Sequence, residues 1–357
     1  MRPEYSPFKI VHHPDKLQEL KDGNQPVPVK LQISPTNRCN VHCKFCCYYG
    51  DTFDNMSLFS PKDELSTDTV IKYIRQAADM GVKAVDLTGG GDPLCHPGII
   101  EILSELITLK MPFGMITNGT ALDVETISLL TQAEYVRVSI DAATVETYKE
   151  VKGVKASLFE KLIEDLHMLC LRSPDTVIGV NFNVMHENYH EIPLAAGLFK
   201  GIGCDNIRIA PVLITSKSCS LGGSDYYANI KDKVSANLNT AMMLSDERFT
   251  VFPVVNQRLF GKIPVRQDYS FCPFKELVTF IGSDDNLYTC CNQAYSKPGL
   301  IGSMQGDFKS FWHSVDKQQF FTAHDPRKHC NNICIHREKN STINYAIEAD
   351  PRHKEFI

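Results

Sequence analysis

Along the first two thirds of the chain, apolar and polar positions alternate with two different periodicities. Short runs with strand-like patterning recur, and amphipathic runs with helical spacing follow them. The strand-like runs lie at 30–35, 84–88, 113–117, 135–140, 177–184 and 206–213. The helical runs lie at 67–80, 97–110, 123–132, 157–171 and 191–202. This alternation predicts an α/β fold in which parallel strands are joined by right-handed helical crossovers.

Six repeats are too few to close an eight-stranded barrel. The pattern therefore predicts a partial (β/α)6 barrel of the TIM type, in preference to a flat doubly wound sheet. In both arrangements ligands gather at the C-terminal ends of the strands, so candidate functional residues are sought where each strand ends.

The rhythm divides the chain into five parts. They are a polar lead-in (1–28), the barrel (29–214), a linker and partly helical connector (215–265), a small cysteine-rich α+β module (266–337) and a charged C-terminal tail (338–357). Within the module, two β-rich runs surround a Gly-Ser-Asp-Asp-Asn turn in ELVTFIGSDDNLYTCCN, which predicts a hairpin.

The composition excludes several classes of protein. A hydrophobic content of 43% with 22% charged residues is typical of a globular domain, and a net charge of −5 gives no reason to expect a nucleic-acid partner. No apolar run approaches the ~20 residues that span a bilayer, and the N-terminus lacks the apolar core of a secretory signal. We therefore expect a cytoplasmic protein with no membrane partner, whose thirteen cysteines bind metal in preference to forming disulfides.

Cys39, Cys43 and Cys46 follow the first predicted strand, on a loop that begins near Pro35. Their C-x3-C-x2-C spacing offers three thiolates to one iron–sulfur cluster. Three ligands leave one iron of a [4Fe–4S] cubane without a protein partner, and a small molecule can chelate that iron. Zinc is the alternative, but structural zinc is four-coordinate and favours paired C-x2-C spacings.

The ends of the next three strands carry residues suited to ligand contact. In order, they are Gly90, Gly91 and Asp92, then Thr117 and Asn118, then Ser139 and Asp141. Glycines at a strand end let the backbone approach a ligand. Ser139 and Asp141 lie two apart, face the same side of their strand and suit hydrogen bonding to a ribose. Each ending alone also fits a solvent-facing strand terminus. Together with the cysteine loop after the first strand, they make four endings on one rim, meaning the edge formed by the C-terminal ends of the strands, and four endings favour a binding site.

The cysteine motif, with Phe45 before its last cysteine, GGDP after the second strand and SID after the fourth, resembles the radical S-adenosylmethionine superfamily over residues 29–214. The resemblance implies that the amino and carboxylate groups of S-adenosylmethionine chelate the open iron. It implies that a reduced [4Fe–4S] cluster supplies one electron, and that sulfonium cleavage yields a 5′-deoxyadenosyl radical. This radical abstracts a hydrogen atom from a substrate, and the electron comes from a reductant of the flavodoxin or ferredoxin type.

The same resemblance assigns cofactor contacts. The predicted cofactor-binding residues are Phe45, Gly90, Gly91, Asp92, Thr117, Asn118, Ser139 and Asp141. The glycine segment corresponds to the contact with the methionine amino group, the end of the fourth strand to the ribose contact, and the backbone around Phe45 to the adenine contact. Asp92 stands where the family usually has Glu, and its shorter side chain favours a backbone contact over a carboxylate contact.

A second cysteine set lies in the C-terminal module. Cys272 and Cys290 flank the predicted hairpin, and Cys330 and Cys334 lie beyond it. Four thiolates can enclose one cluster, and the arrangement resembles the twitch module, a short relative of the SPASM domain. It implies one fully protein-ligated auxiliary [4Fe–4S] cluster. Cys290 is preferred to Cys291 by its separation from Cys272, and zinc bound by four cysteines stays open.

The resemblance implies a radical enzyme that abstracts a hydrogen atom from a small polar substrate, such as a sugar or aminocyclitol. The expected net reaction is an oxidation assisted by the auxiliary cluster, in a pocket that includes Asn181, Asn183 and Arg208. A radical epimerase of a sugar or peptide residue is the first alternative, with Cys219 as hydrogen donor. A peptide-modifying maturase and a non-catalytic iron–sulfur sensor or electron carrier are further alternatives. The open iron and the glycine-rich rim disfavour the sensor.

Overall fold

The computed structural model describes residues 6–49, 56–212, 226–254, 267–330, 334–349 and 352. Its helices are α1 (Pro14–Lys21), α2 (Thr67–Met80), α3 (Ile99–Thr108), α4 (Val124–Leu130), α5 (Val145–Lys152), α6 (Ala156–Arg172), α7 (Ile192–Ile202), α8 (Lys231–Met242), α9 (Pro273–Leu277), α10 (Phe308–Trp312), α11 (Val315–Ala323), α12 (Pro326–His329) and α13 (Arg337–Glu348). Its strands are β1 (Lys30–Ile33), β2 (Ala84–Leu87), β3 (Phe113–Thr117), β4 (Tyr135–Ser139), β5 (Val177–Val184), β6 (Asn206–Pro211), β7 (Thr250–Pro253), β8 (Val278–Ile281), β9 (Asn286–Tyr288) and β10 (Leu300–Ser303).

The strands of the described residues form one open sheet in the order β10-β9-β8-β1-β2-β3-β4-β5-β6-β7. Neighbours from β1 to β7 are parallel and follow chain order, with helices in the crossovers. This arrangement confirms the predicted α/β fold with a partial barrel. The six predicted strands are all present, and β7 adds a seventh that pairs with β6. The prediction missed β7 because its short TVFP sequence does not alternate.

Helix α2 shows how local sequence signals set the predicted elements. The hydroxyl of Ser66 accepts a hydrogen bond from the backbone N–H of Thr69, which satisfies a free donor of the first turn. Gly81 ends the helix in the left-handed region, with a φ of 87°. The buried side chains recur at helical spacing and pack on the sheet; they are Val70, Tyr73, Ile74 and Ala77. The predicted bounds of 67–80 are confirmed.

The two faces of the parallel sheet differ in chemistry. The face toward the helices is apolar and fully buried, and it includes Leu31, Ile33, Val85, Leu87, Val136, Val138 and Val180. The opposite face, on the inside of the barrel, is polar, and it includes Gln32, Asp86, Tyr135, Arg137, Ser139, Asn181, Asn183 and Arg208. Strand alternation places these sets on opposite sides. The barrel interior is therefore lined for a polar ligand.

The C-terminal module continues the barrel sheet. Strand β8 pairs in parallel with β1, and β8 and β9 form the antiparallel hairpin that the sequence predicts. The predicted charged tail is partly wrong, because α13 lies within it. Ile343 of α13 packs with Ile10, Leu20 and Leu277 in a small apolar cluster that joins the two ends of the chain. Within the described part of the chain, no helix is both long and apolar enough to cross a membrane.

Candidate functional site

The loop after β1 carries Cys39, Cys43 and Cys46 as half-buried thiols. The backbone N–H of Lys44 donates to the carbonyl of Val151, which anchors the loop to α5 at 3.2 Å. Burial raises the pKa of the Cys39 thiol to about 12. Burial also raises the pKa of Cys43, against the opposing effect of the nearby Lys152 ammonium. Cluster binding must therefore displace thiol protons here.

The glycine segment after β2 packs directly against this cysteine loop. The N–H of Gly91 donates to the carbonyl of Thr36 at 3.2 Å, and the N–H of Asp92 donates to the carbonyl of Arg38 at 2.9 Å. A Cβ atom on Gly91 would lie 2.0 Å from the Arg38 carbonyl oxygen, and one on Gly90 would lie 2.3 Å from an Asn37 side-chain oxygen. Glycine is required because the two loops approach so closely.

Asp92 is fully engaged by the protein. Its carboxylate accepts hydrogen bonds from the Thr117 hydroxyl at 2.9 Å, the Asn118 N–H at 2.5 Å and the Leu94 N–H at 3.0 Å. Burial raises the pKa of Asp92, and these bonds oppose the increase. The carboxylate ties the end of β2 to the end of β3, which agrees with the expectation that any ligand contact here comes from the backbone.

Asn118 joins the end of β3 to the cysteine loop. Its side-chain N–H group lies 3.7 Å from the Cys39 sulfur and donates to the Asn40 side-chain oxygen at 3.0 Å. The side-chain oxygen of Asn118 accepts from Thr120, which fixes the orientation of the amide. An amide donor oriented in this way can stabilise a thiolate at Cys39.

The end of β4 holds a buried ion pair that the sequence did not reveal. Asp141, with a φ of 63°, pairs with the Lys152 ammonium and accepts from the Asn183 N–H at 2.6 Å. The same ammonium donates to the Ser139 carbonyl at 3.0 Å and lies 5.3 Å from the centre of the Phe45 ring. The carboxylate predicted to contact a ribose therefore already has protein partners. Lys152 carries no local signal, because it meets Asp141 only through the fold.

In the C-terminal module, four thiols line one pocket. They are Cys272 before α9, Cys290 after β9, Cys330 after α12 and Cys334 before α13. Burial raises the pKa of Cys272 to about 11 and that of Cys330 to about 12. Cys291 does not line the pocket; its sulfur lies 3.7 Å from the His336 imidazole. The geometry thus favours the Cys290 interpretation.

Asn340 of α13 supports two of these cysteines. Its side-chain oxygen accepts from the Cys272 thiol at 3.5 Å, and its N–H group lies 3.9 Å from the Cys334 sulfur. The Tyr269 hydroxyl lies 3.4 Å from the same sulfur. Sequence reasoning missed Asn340 because it lies in the segment that was predicted to be a tail.

The four-cysteine pocket has the donor set of one metal group. Four thiolates suit an iron–sulfur cubane and also a tetrahedral Zn²⁺. Two polar side chains in the pocket wall, Thr289 and His324, are buried without a hydrogen-bond partner among the described residues. The sulfide ions of a cluster would add hydrogen-bond acceptors to those of the thiolates, and a Zn²⁺ ion would add none. The orphaned polar atoms therefore favour a cluster.

Among the remaining cysteines, Cys170 and Cys204 lie together, with their sulfur atoms 3.8 Å apart. Cys219, the predicted hydrogen donor, lies outside the described residues.

Polar side chains of the barrel interior contact one another below the rim. The Arg208 guanidinium donates to the Asn181 side-chain oxygen at 3.0 Å, and the Tyr135 hydroxyl donates to Asp86 at 2.9 Å. The Arg137 guanidinium lies 5.6 Å from the centre of the Tyr135 ring. This interior offers hydrogen-bond donors and two guanidinium groups to a ligand held beneath the rim.

The chain is similar to a known family of proteins over the part that carries this rim. Residues 33–196 match the family model described as the radical SAM superfamily. The chain is 26% identical over 185 residues to the PqqA peptide cyclase of Gluconobacter oxydans, covering 51% of this chain and 49% of that protein. It is 28% identical over 177 residues to a probable GTP 3′,8-cyclase of Methanothermobacter marburgensis, covering 49% and 54%.

A solved structure of Streptococcus suis SuiB bound to S-adenosylmethionine has the same fold, with a TM-score of 0.65 at 15% identity. The similarity covers 96% of this chain and 80% of SuiB. The chain spans about half the length of the curated relatives that it matches. The radical SAM family uses a [4Fe–4S] cluster and S-adenosylmethionine. The match over 33–196, together with the cysteine loop and the glycine segment packed against it, identifies a radical SAM domain in this chain.

Proposed function

We propose that this chain is a radical SAM enzyme that abstracts a hydrogen atom from a small polar substrate and oxidises it. When bound, the cluster and S-adenosylmethionine supply a 5′-deoxyadenosyl radical at the rim. Cys39, Cys43 and Cys46 hold the cluster, and the glycine segment presents its backbone to the methionine moiety. The polar interior face binds the substrate below.

The observation that carries the proposal is the four-cysteine pocket. Net oxidation needs an acceptor for the substrate's second electron, and a fully protein-ligated cluster is a suitable acceptor. Cys272, Cys290, Cys330 and Cys334 all face one pocket, which belongs to a module that shares the barrel's sheet. A one-electron reductant of the flavodoxin or ferredoxin type serves the rim cluster.

The interior of the barrel supports a polar substrate. Asp86 is paired with Lys30 and Asp141 with Lys152, so these two carboxylates carry neutralising partners. Arg137 and Arg208 share the same face of the sheet. The hydroxyl, amide and guanidinium groups on this face suit a ligand that forms hydrogen bonds.

Peptide modification is the second candidate. The similarity to a PqqA peptide cyclase favours it, as does the fold shared with SuiB, which has also been solved bound to its precursor peptide SuiA. A peptide would have to reach the same polar interior, so the two candidates differ in substrate size and not in the initiating chemistry.

The test is anaerobic incubation of the iron-loaded protein with S-adenosylmethionine and dithionite. We expect 5′-deoxyadenosine, and we expect more of it with the low-molecular-mass fraction of a cell extract than with its peptide fraction. Stimulation by the peptide fraction alone would favour the maturase. The absence of 5′-deoxyadenosine from fully loaded protein would support the sensor and remove the proposed function.

A further inference from the structure

Thr289 and His324 both line the four-cysteine pocket and belong to different parts of the module. Thr289 precedes Cys290 after β9, and His324 follows α11. They are 3% and 6% exposed. The Thr289 hydroxyl and both ring nitrogens of His324 lack a hydrogen-bond partner within the described part of the chain. Buried polar groups are rarely left in this state, because desolvation is then uncompensated.

Both side chains can donate a hydrogen bond to a sulfur atom. A hydroxyl rotates to point its proton at any nearby acceptor. An imidazole ring carries at least one N–H group whether it is neutral or charged, so His324 is a donor in either state. Thiolates and cluster sulfides accept hydrogen bonds and donate none. An iron–sulfur group in this pocket would therefore offer acceptors to the Thr289 hydroxyl and to an N–H group of His324.

Lys275 is a further influence on the pocket. Its ammonium lies close to Cys272 and Cys330 and pairs with the carboxylate of Glu276 at 2.6 Å, and both side chains are almost completely buried. The ammonium opposes the increase that burial causes in the pKa of both thiols. Because Lys275 is unchanged in variants of Thr289 and His324, its effect is common to all the proteins compared below.

We propose that Thr289 and His324 donate hydrogen bonds to sulfur atoms of the auxiliary cluster and raise its reduction potential. The proposal rests on the proposed function and deepens it, since it names the side chains that make the cluster an electron acceptor. Reduction adds negative charge to the cluster, and hydrogen bonds to sulfur stabilise the more negative state. Both residues would contact the cluster and need not touch the substrate.

The experiment is a redox titration of the anaerobically reconstituted full chain, followed by electron paramagnetic resonance. At the wild-type midpoint potential, Thr289→Val and His324→Leu should each lower the ratio of reduced to oxidised auxiliary cluster about fivefold to tenfold. Thr289→Ser and His324→Gln retain a donor and should stay within about twofold. The cluster at Cys43 is the internal control, and its midpoint should not move; Cys43→Ala protein identifies the auxiliary signal.

Unchanged ratios in fully iron-loaded Thr289→Val and His324→Leu protein would overturn the proposal. Zinc in place of iron at the C-terminal cysteines would also overturn it. If one variant fails to load iron, the other still decides the question. Failure of the proposed function is separate, because it is measured by 5′-deoxyadenosine and substrate oxidation in the wild type and not by the potential.

Discussion

The two cysteine sites use the same ligand atom in opposite ways. The rim site presents three thiols on a loop, with the Asn118 amide near one of them. The module site surrounds its pocket with four thiols, and Asn340 and Tyr269 contact two of them. Burial raises thiol pKa values at both sites. The comparison indicates that the number of cysteine ligands decides whether a cluster can bind a small molecule. Three cysteines leave one iron open to such a ligand, and four cysteines do not.

Two buried lysines extend this comparison. Lys152 at the rim and Lys317 in the module are each 1% exposed. Burial alone would lower the pKa of Lys152, but Asp141 and Cys43 outweigh it and raise the pKa. Burial, together with the Lys275 ammonium, lowers the pKa of Lys317 to about 8, and Glu276 offsets these effects only in part. The surroundings of Lys152 at the rim therefore favour its charged ammonium, whereas the surroundings of Lys317 in the module favour the neutral amine.

The largest expected effect separates the roles of the two sites. Cys43→Ala should abolish 5′-deoxyadenosine formation, because the rim cluster loses a ligand. Cys330→Ala should keep cleavage of S-adenosylmethionine within about tenfold of the wild type, because the three rim cysteines and the glycine segment are unchanged. It should lose substrate oxidation. Product analysis of both iron-loaded variants checks this. Loss of cleavage in Cys330→Ala would show that the two sites do not act separately.

The next effect tests the contact between the glycine segment and the cysteine loop. Gly91→Ala should displace the loop and lower rim iron content, and it should cost about 3 kcal/mol or more of unfolding free energy. Its Cβ atom would meet the Arg38 carbonyl at 2.0 Å. Gly197→Ala, in α7 with open space around it, is the matched control and should stabilise by about 0.5–1 kcal/mol. Iron analysis and urea unfolding give the readouts; equal iron in both variants would contradict the packing argument.

The rim ion pair should give the next largest change in stability. Lys152→Met leaves the buried Asp141 carboxylate uncompensated, which should cost about 3–5 kcal/mol. The double variant Lys152→Met with Asp141→Asn should recover most of that loss, because no buried charge remains. Urea unfolding of the apoprotein measures both. Additive losses in the double variant would show that the two residues are not coupled.

The smallest effect is a pH dependence from Lys317. Its folded-state pKa of about 8 lies below the unfolded value near 10.5, so its contribution to stability is present above pH 10.5 and is lost as the pH falls toward 8. Relative to Lys317→Met, the wild type should gain roughly 1–3 kcal/mol between pH 7 and pH 10.5. Thermal or urea unfolding at both pH values checks the sign. A constant difference between the two proteins would mean that Lys317 stays charged when folded.

Most of the fold could be predicted because its signals are local. The six predicted strands have a repeated apolar face, and α2 carries its cap and its C-terminal glycine in the sequence. Strand β7 was missed because its pairing with β6, and not its own pattern, makes it a strand. Helix α13 was missed because its few apolar residues, such as Ile343, are spread among polar ones.

The site was predicted only as far as its ligands are close in sequence. The C-x3-C-x2-C motif carries its own spacing, so the rim cysteines stand out. Lys152 and Asn340 do not, because each reaches its partner through folding: Lys152 meets Asp141 across a loop and a helix, and Asn340 meets Cys272 across 68 residues. The bonding of Asp92 to Thr117 and Asn118 was likewise invisible, although all three residues were named as candidates.

The parallel pairing of β8 with β1 has a mechanical consequence. The strand that leads into the rim cysteines is hydrogen-bonded to the strand between Cys272 and Cys290, so backbone ladder bonds and not a hinge set the spacing of the two centres. A chain cut before β8 would leave one side of Lys30–Ile33 as a bare sheet border, open to pairing with other molecules. The barrel without β8 would therefore be a poor candidate for expression as an isolated fragment. In the intact chain, electron transfer between the two centres would operate over a fixed distance.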